Sequence, residues 1–77
     1  MKKISIIIPT WNEEGNIRLL INRMIKAFQK TKIIYELIIV DDHSIDKTRN
    51  IVKTLSQKYP LSLSLLKRES EGKPNLL

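Results

Sequence analysis

Cysteine is absent from the 77 residues, which excludes a disulfide framework and any thiolate metal site. That absence fits a reducing compartment. Glycine is nearly absent, with Gly15 and Gly72 the only two. No G-x-G-x-x-G follows the first apolar run and no G-x-x-x-x-G-K-[ST] occurs, so neither a dinucleotide fingerprint nor a P-loop can be built. A nucleotide bound here would be held by side chains and a metal rather than by a glycine loop. His43 is the only histidine, so a histidine-based catalytic or metal cluster has no second member, and His43 reads as a solvent-facing loop residue. No segment approaches the roughly 20 apolar residues of a membrane span. The apolar run Ile4 to Ile8 behind Met1-Lys2-Lys3 stops at Pro9 and lacks a small-residue cleavage site, which argues against a secretory signal.

Acidic residues are also the minority, 8 against 14 basic, for a formal charge of +6. Such a balance raises the question of nucleic acid. The cations are scattered, however, and fall mainly on the outward faces of the helices proposed below, where solvated charge belongs. The expectation is no nucleic-acid partner. An attraction to anionic membrane surfaces or phosphate-bearing ligands stays open.

Composition is globular, with 42% hydrophobic and 29% charged residues, and the length allows one small domain. At this size folding hides only about 60% of the surface of the unfolded chain. "KISIII" at residues 3 to 8 is short and β-branched, which predicts a buried strand closed by Pro9. Asn12 is the candidate N-cap of a helix with Glu13 and Glu14 in its first turn. Ile17, Leu20, Ile21, Met24, Ile25 and Phe28 form its apolar stripe. A second strand, about Tyr35 to Val40, is apolar nearly throughout, as in parallel sheets covered on both faces. A second helix carries Thr48, Ile51, Val52, Leu55 and Tyr59 and stops at Pro60; "LSLSLLK" predicts a third strand and "RESEGKPNLL" a loop. The order is βαβαβ, half of a nucleotide-binding α/β fold with right-handed crossovers.

In open α/β sheets, ligands bind beyond the carboxyl ends of the strands. Residues 9 to 16 and 41 to 46 reach that edge, and both loops are acidic and polar. Crowding carboxylates onto one rim raises electrostatic energy, which suggests service to a ligand with donor groups or to a cation. Ser44 or Asp46 reads as a cap for the second helix. Asp41 suits backbone amides of the turn and a ligand equally, whereas Asp42 points the other way from its neighbour and is the stronger ligand candidate. Trp11 either packs or offers a flat face to a base or sugar.

"SIIIPTWNEEGNI", followed some thirty residues later by "ELIIVDDHSIDKT", resembles the start of family 2 glycosyltransferases, and among these the polyprenyl- or dolichol-phosphate mannosyltransferase group. The resemblance runs from residue 3 to about residue 72. It implies a truncated half of a GT-A fold, with residues 1–77 one partial nucleotide-sugar-binding domain. The implied ligand is a nucleoside diphosphate sugar with guanine or uracil as base. By position, Pro9, Trp11 and Glu13 match residues lining the nucleobase and ribose pocket, and Val40 and Asp42 match those at the end of the second strand, with Asp41 beside them. "EGK" resembles a loop that approaches the diphosphate, which makes Lys73 a candidate. Trp11 stands where the family usually has Tyr, keeping a stacking face without the hydroxyl.

The family's D-x-D metal motif and its acceptor-activating base are not found in these residues. The resemblance therefore implies Mg2+ or Mn2+ for the family without ligands for it here, and no catalytic residue in this chain. The acceptor it implies is a polyprenyl phosphate or a glycan, and the location cytoplasmic, peripheral at the membrane face. Two other readings come from different classes. One is a non-catalytic nucleotide-binding remnant. The other, a phospho-receiver domain suggested by "LIIVDDHS", lacks the Asp that should end a later strand, since no Asp follows Asp46.

Overall fold

A computed structural model describes residues 3–69. β1 (Lys3–Thr10), α1 (Ile17–Gln29), β2 (Ile34–Asp42), α2 (Thr48–Lys58) and β3 (Leu63–Arg68) follow in the predicted alternation. The sheet is fully parallel in the order β1-β2-β3. Register pairs Ile6 with Leu37, Ile8 with Ile39 and Thr10 with Asp41, and then Leu37 with Leu63 and Ile39 with Leu65. Because side chains alternate across a strand, these residues share one face. That face meets both helices.

The core lies in this single interface. Ile17, Ile21 and Ile25 of α1 and Val52 and Leu55 of α2 close over Leu37, Ile39 and Leu63. Phe28 and Tyr35 stack at 4.6 Å between ring centroids and pack against the same cluster. The strand order steps one way across the sheet, so two crossovers of the same hand put both helices on the same side. This corrects the expectation, drawn from the apolar β2, of a sheet covered on both faces. Ile7 on the other face is 64% exposed, Leu66 57% and Ile34 47%.

Four boundaries differ from expectation, each for a local reason. β2 extends over Asp41 and Asp42, expected in the following loop, because its pairing with Thr10 and with Lys67 and Arg68 continues to the rim. β1 runs through Pro9 to Thr10; a proline without an N–H is tolerated on an edge strand, and β1 pairs only with β2 among the described residues. α1 begins at Ile17 rather than behind Asn12. Asn12 has φ 49°, in the left-handed region, and Glu13 to Asn16 form a separate turn in which the Asn16 and Ile17 amides donate to the Glu13 carbonyl at 3.0 and 2.8 Å. Glu13 and Glu14 therefore stand ahead of the helix. β3 starts at Leu63 because a turn occupies the preceding residues, with Ser62 and Leu63 amides donating to the Tyr59 carbonyl. Lys73 and the rest of "EGK" lie outside the described residues.

Candidate functional site at the carboxyl rim

β1 and β2 end side by side, so the loops that follow them meet. Five hydrogen bonds fasten one to the other. Thr10 Oγ1 donates to Asp41 Oδ1 at 2.8 Å, the Asn12 amide to Ser44 Oγ at 2.8 Å, and the Glu13 amide to Thr48 Oγ1 at 2.8 Å. The Glu14 amide donates to Asp46 Oδ2 at 3.2 Å, and the Ile45 amide returns a bond to Asn12 Oδ1 at 3.0 Å. Asn12, expected to cap a helix, instead bridges the loops through both its backbone and its side chain. Its left-handed backbone is one that Asn tolerates better than most residues.

The two adjacent acids face opposite ways, and their surroundings differ accordingly. Asp41, 0% exposed, lies on the helix side of the sheet. Its carboxylate accepts four hydrogen bonds: Thr10 Oγ1 at 2.8 Å, the Ser44 amide at 3.0 Å, Ser44 Oγ at 2.5 Å and Arg49 Nε at 2.5 Å. Burial pushes its pKa up, but donors from Ser44, Arg49 and Thr10 outweigh burial and hold it below the ordinary carboxylate value. The Arg49 guanidinium also reaches the Asp41 carbonyl at 3.3 Å and the Arg68 carbonyl at 3.1 Å, and pairs with Glu69. Glu69 in turn meets Nδ1 of His43, whose own amide donates to the Arg68 carbonyl at 2.8 Å. His43, with φ 59°, is thus a tie between strand ends as well as a loop residue.

Arg49 is the residue that sequence reasoning missed. It did leave a signal. Arg49 follows directly on Thr48 in the first turn of α2, where the helix dipole disfavours a cation. A buried carboxylate within reach explains its presence there.

Ser44 and Asp46 divide the roles expected of them. Asp46 Oδ1 accepts from the Thr48 amide at 2.9 Å and from Thr48 Oγ1 at 2.5 Å, a turn that satisfies the first amide of α2 from outside the helix, whose N-cap is Lys47 and carries no side-chain bond. Burial raises the Asp46 pKa, but the Thr48 and Glu14 donors prevail and lower it. Ser44 caps nothing. It relays Asp41 to the Asn12 amide.

The carboxylate crowding that suggested a ligand is therefore met largely by the protein's own donors. A second set lies on the sheet face opposite the helices. Pro9 pairs in register with Val40, and alternation puts Asp42 on the same face of the sheet, away from the helices and beside Arg68 in β3. Asp42 is 5% exposed and Trp11, just past the end of β1, 40% exposed. A cavity of about 220 Å3 between β1 and α1 is lined by Ile8, Pro9, Thr10, Glu13, Asn16, Ile17 and Leu20. Pro9 belongs to both surfaces, so it joins the cavity that holds Glu13 to the face that holds Val40 and Asp42. Trp11, Val40, Asp41 and Asp42 do not line the cavity.

The chain resembles known proteins over most of its length. The model of the family described as glycosyl transferase family 2 matches residues 5–75. A dolichol-phosphate mannosyltransferase of Pyrococcus furiosus is 43% identical over 61 residues, 79% of this chain and 17% of that protein. A poly(ribitol-phosphate) β-N-acetylglucosaminyltransferase of Staphylococcus aureus is 41% identical over 73 residues, 94% of this chain and 12% of that protein. Among solved structures, a mannosyltransferase from Pyrobaculum calidifontis in complex with GDP-mannose and Mn2+ superposes with a TM-score of 0.62 at 28% identity, over 91% of this chain and 21% of that one. The chain thus spans less than a quarter of each of these relatives. With matched residues covering nearly all of its sequence and the same alternation of parallel strands and helices, the chain belongs to glycosyltransferase family 2.

Proposed function

We propose that these residues form the nucleotide-recognising rim of an enzyme that transfers a sugar from a nucleoside diphosphate sugar to an acceptor such as a polyprenyl phosphate or a glycan. The single observation that carries the reading is that Pro9, Val40 and Asp42 share the sheet face opposite the helices at the carboxyl rim, with Trp11 just past the end of β1. A base stacked on Trp11 would present a ring N–H to the Asp42 carboxylate, a charge-assisted bond stronger than a neutral one. Glu13 lines the cavity on the other side of Pro9, from which it would meet the ribose hydroxyls. Asp41 contributes differently: its oxygens are taken up by Thr10, Ser44 and Arg49, so it serves the ligand through the loop it holds. The GDP-mannose bound by the Pyrobaculum enzyme and the dolichol-phosphate acceptor in the Pyrococcus relative's name support this donor and acceptor class.

A divalent ion is part of the same expectation, and the Pyrobaculum enzyme was solved with Mn2+. The described residues do not fit such an ion. No group of three or more His, Cys, Asp or Glu among them is arranged to hold a metal. The role proposed for these residues is binding of the donor's nucleotide. No helix among them is long and apolar enough to cross a membrane. Titration of GDP, UDP and their sugars, followed by Trp11 fluorescence, tests the reading. Saturable quenching that Asp42→Ala removes is the expected result; an unchanged signal up to millimolar nucleotide would sink it.

A further inference from the structure

Charge in this fold is segregated by layer. Neither α1 nor α2 contains a single Asp or Glu, whereas Glu13, Glu14, Asp41, Asp42 and Asp46 all gather at the carboxyl rim. The segregation is sharpest on α1. Leu19, Arg23 and Lys26, with Lys30 at the helix's C-cap, recur at spacings of four, three and four, which places them along one line of the helix surface. That line is opposite the buried Ile17, Ile21 and Ile25. All four residues are exposed, and Leu19 keeps 54% of its surface open.

The ion pairs among the described residues are Lys3 with Glu36, His43 with Glu69, and Arg49 with Asp41 and Glu69. Arg23, Lys26 and Lys30 take part in none. Lys26 and Lys30 favour the dipole at the C-terminal end of α1, but no carboxylate among the described residues neutralises the stripe.

We propose that this stripe of α1 is a docking surface for an anionic lipid bilayer. Three cations on long flexible stems suit a plane of lipid phosphates, because each can bury its methylenes against the surface while its head stays hydrated. Leu19, exposed at one end of the line, supplies the apolar group that inserts between headgroups. Nucleic acid fits less well. The stripe is convex, and it offers no aromatic side chain on which a base could stack. The surface lies on the helix layer, apart from Pro9, Trp11 and Asp42, so the inference stands independently of the nucleotide reading.

Co-sedimentation of the chain with lipid vesicles tests it. Vesicles of phosphatidylcholine carrying about one third phosphatidylserine should bind the chain and pure phosphatidylcholine should not, with binding falling as salt is raised. At about fivefold per cation, the triple variant R23Q/K26Q/K30Q should lose about 100-fold in affinity, and R23Q alone about fivefold. Leu19→Ser should weaken the binding that survives high salt. Removing equal charge from α2 and its flank, as K47Q/K53Q/K58Q, should leave most of the affinity. These positions point away from the core, and far-UV circular dichroism verifies that each variant is folded; the single variant carries the test if the triple one is not. Equal losses in the two triple variants would overturn the inference in favour of diffuse net charge. So would binding indifferent to phosphatidylserine, or tighter binding to duplex DNA at the same salt with the same dependence on Arg23, Lys26 and Lys30.

Discussion

Arg49 Nε donates to Asp41 Oδ2 at 2.5 Å, with the carboxylate fully enclosed and the arginine side chain 20% exposed. This pair joins α2 to the end of β2, and through the Arg68 carbonyl it also fastens β3. Removing one partner of a buried pair leaves the other charge without compensation. Arg49→Ala is therefore expected to cost about 3 kcal/mol, and Asp41→Ala at least as much, because Thr10 and Ser44 lose their acceptor too. Lys3→Ala, which breaks the exposed pair with Glu36 at 3.8 Å, should change stability by less than about 0.5 kcal/mol. Urea denaturation of the three variants makes the comparison.

Asp41 and Asp46 are held below their ordinary value of 3.8 in the folded chain. Groups with depressed folded pKa values add stability that is fully present above the unfolded pKa and is lost as pH falls through the folded one. Stability should accordingly be insensitive to these groups from pH 8 to about pH 5 and decline below about pH 4. In Arg49→Gln, burial would act on Asp41 with one donor fewer, so the decline should begin at higher pH. Melting temperature recorded against pH in the two proteins tests this, and coincident curves would contradict it.

Asn12 combines a left-handed backbone with two bonds to the opposite loop. Asn12→Gly loses the side-chain bond to the Ile45 amide but adopts φ 49° without strain. Asn12→Ala loses the bond and keeps the strain. The alanine variant should be the less stable by about 1 kcal/mol, and both should fall below the parent protein.

The two faces of the sheet should respond in opposite senses to substitution. Ile21 is 0% exposed within the core, and Ile21→Ala should cost roughly 2 to 5 kcal/mol. Among the described residues, Ile7 and Leu66 stand on the face that no helix covers, and β1 and β3 are edge strands. An exposed apolar face beside open edges favours association between copies. Sedimentation velocity should show concentration-dependent self-association, reduced in Ile7→Lys with little loss of stability.

Period and composition revealed the element order, because β-branched runs and a three-four apolar stripe are local signals. They also revealed Ile17, Ile21, Ile25, Val52 and Leu55 as helix residues facing inward. The one-sided sheet was not legible: an apolar run such as Tyr35 to Val40 reads the same whether its second face is covered or open. The start of α1 was misplaced because Asn12 has the residue type of a cap, while its partners, Ser44 and Ile45, lie over thirty residues away. The doubled acid was read as a rim feature, correctly for its position. That Asp41 turns inward to Arg49 depends on how β2 and α2 pack, which no local spacing encodes.

On the proposed reading, the nucleotide is recognised where the ends of β1 and β2 meet. Amide chemical-shift mapping of the 15N-labelled chain during titration with GDP, and separately UDP, tests it most directly. Saturable shifts concentrated at residues 10 to 14 and 40 to 44 are expected, with the outward stripe of α1 unmoved and the response abolished by Asp42→Ala. Shifts spread evenly over the cationic helices, or shifts at the rim that survive Asp42→Ala, would contradict it.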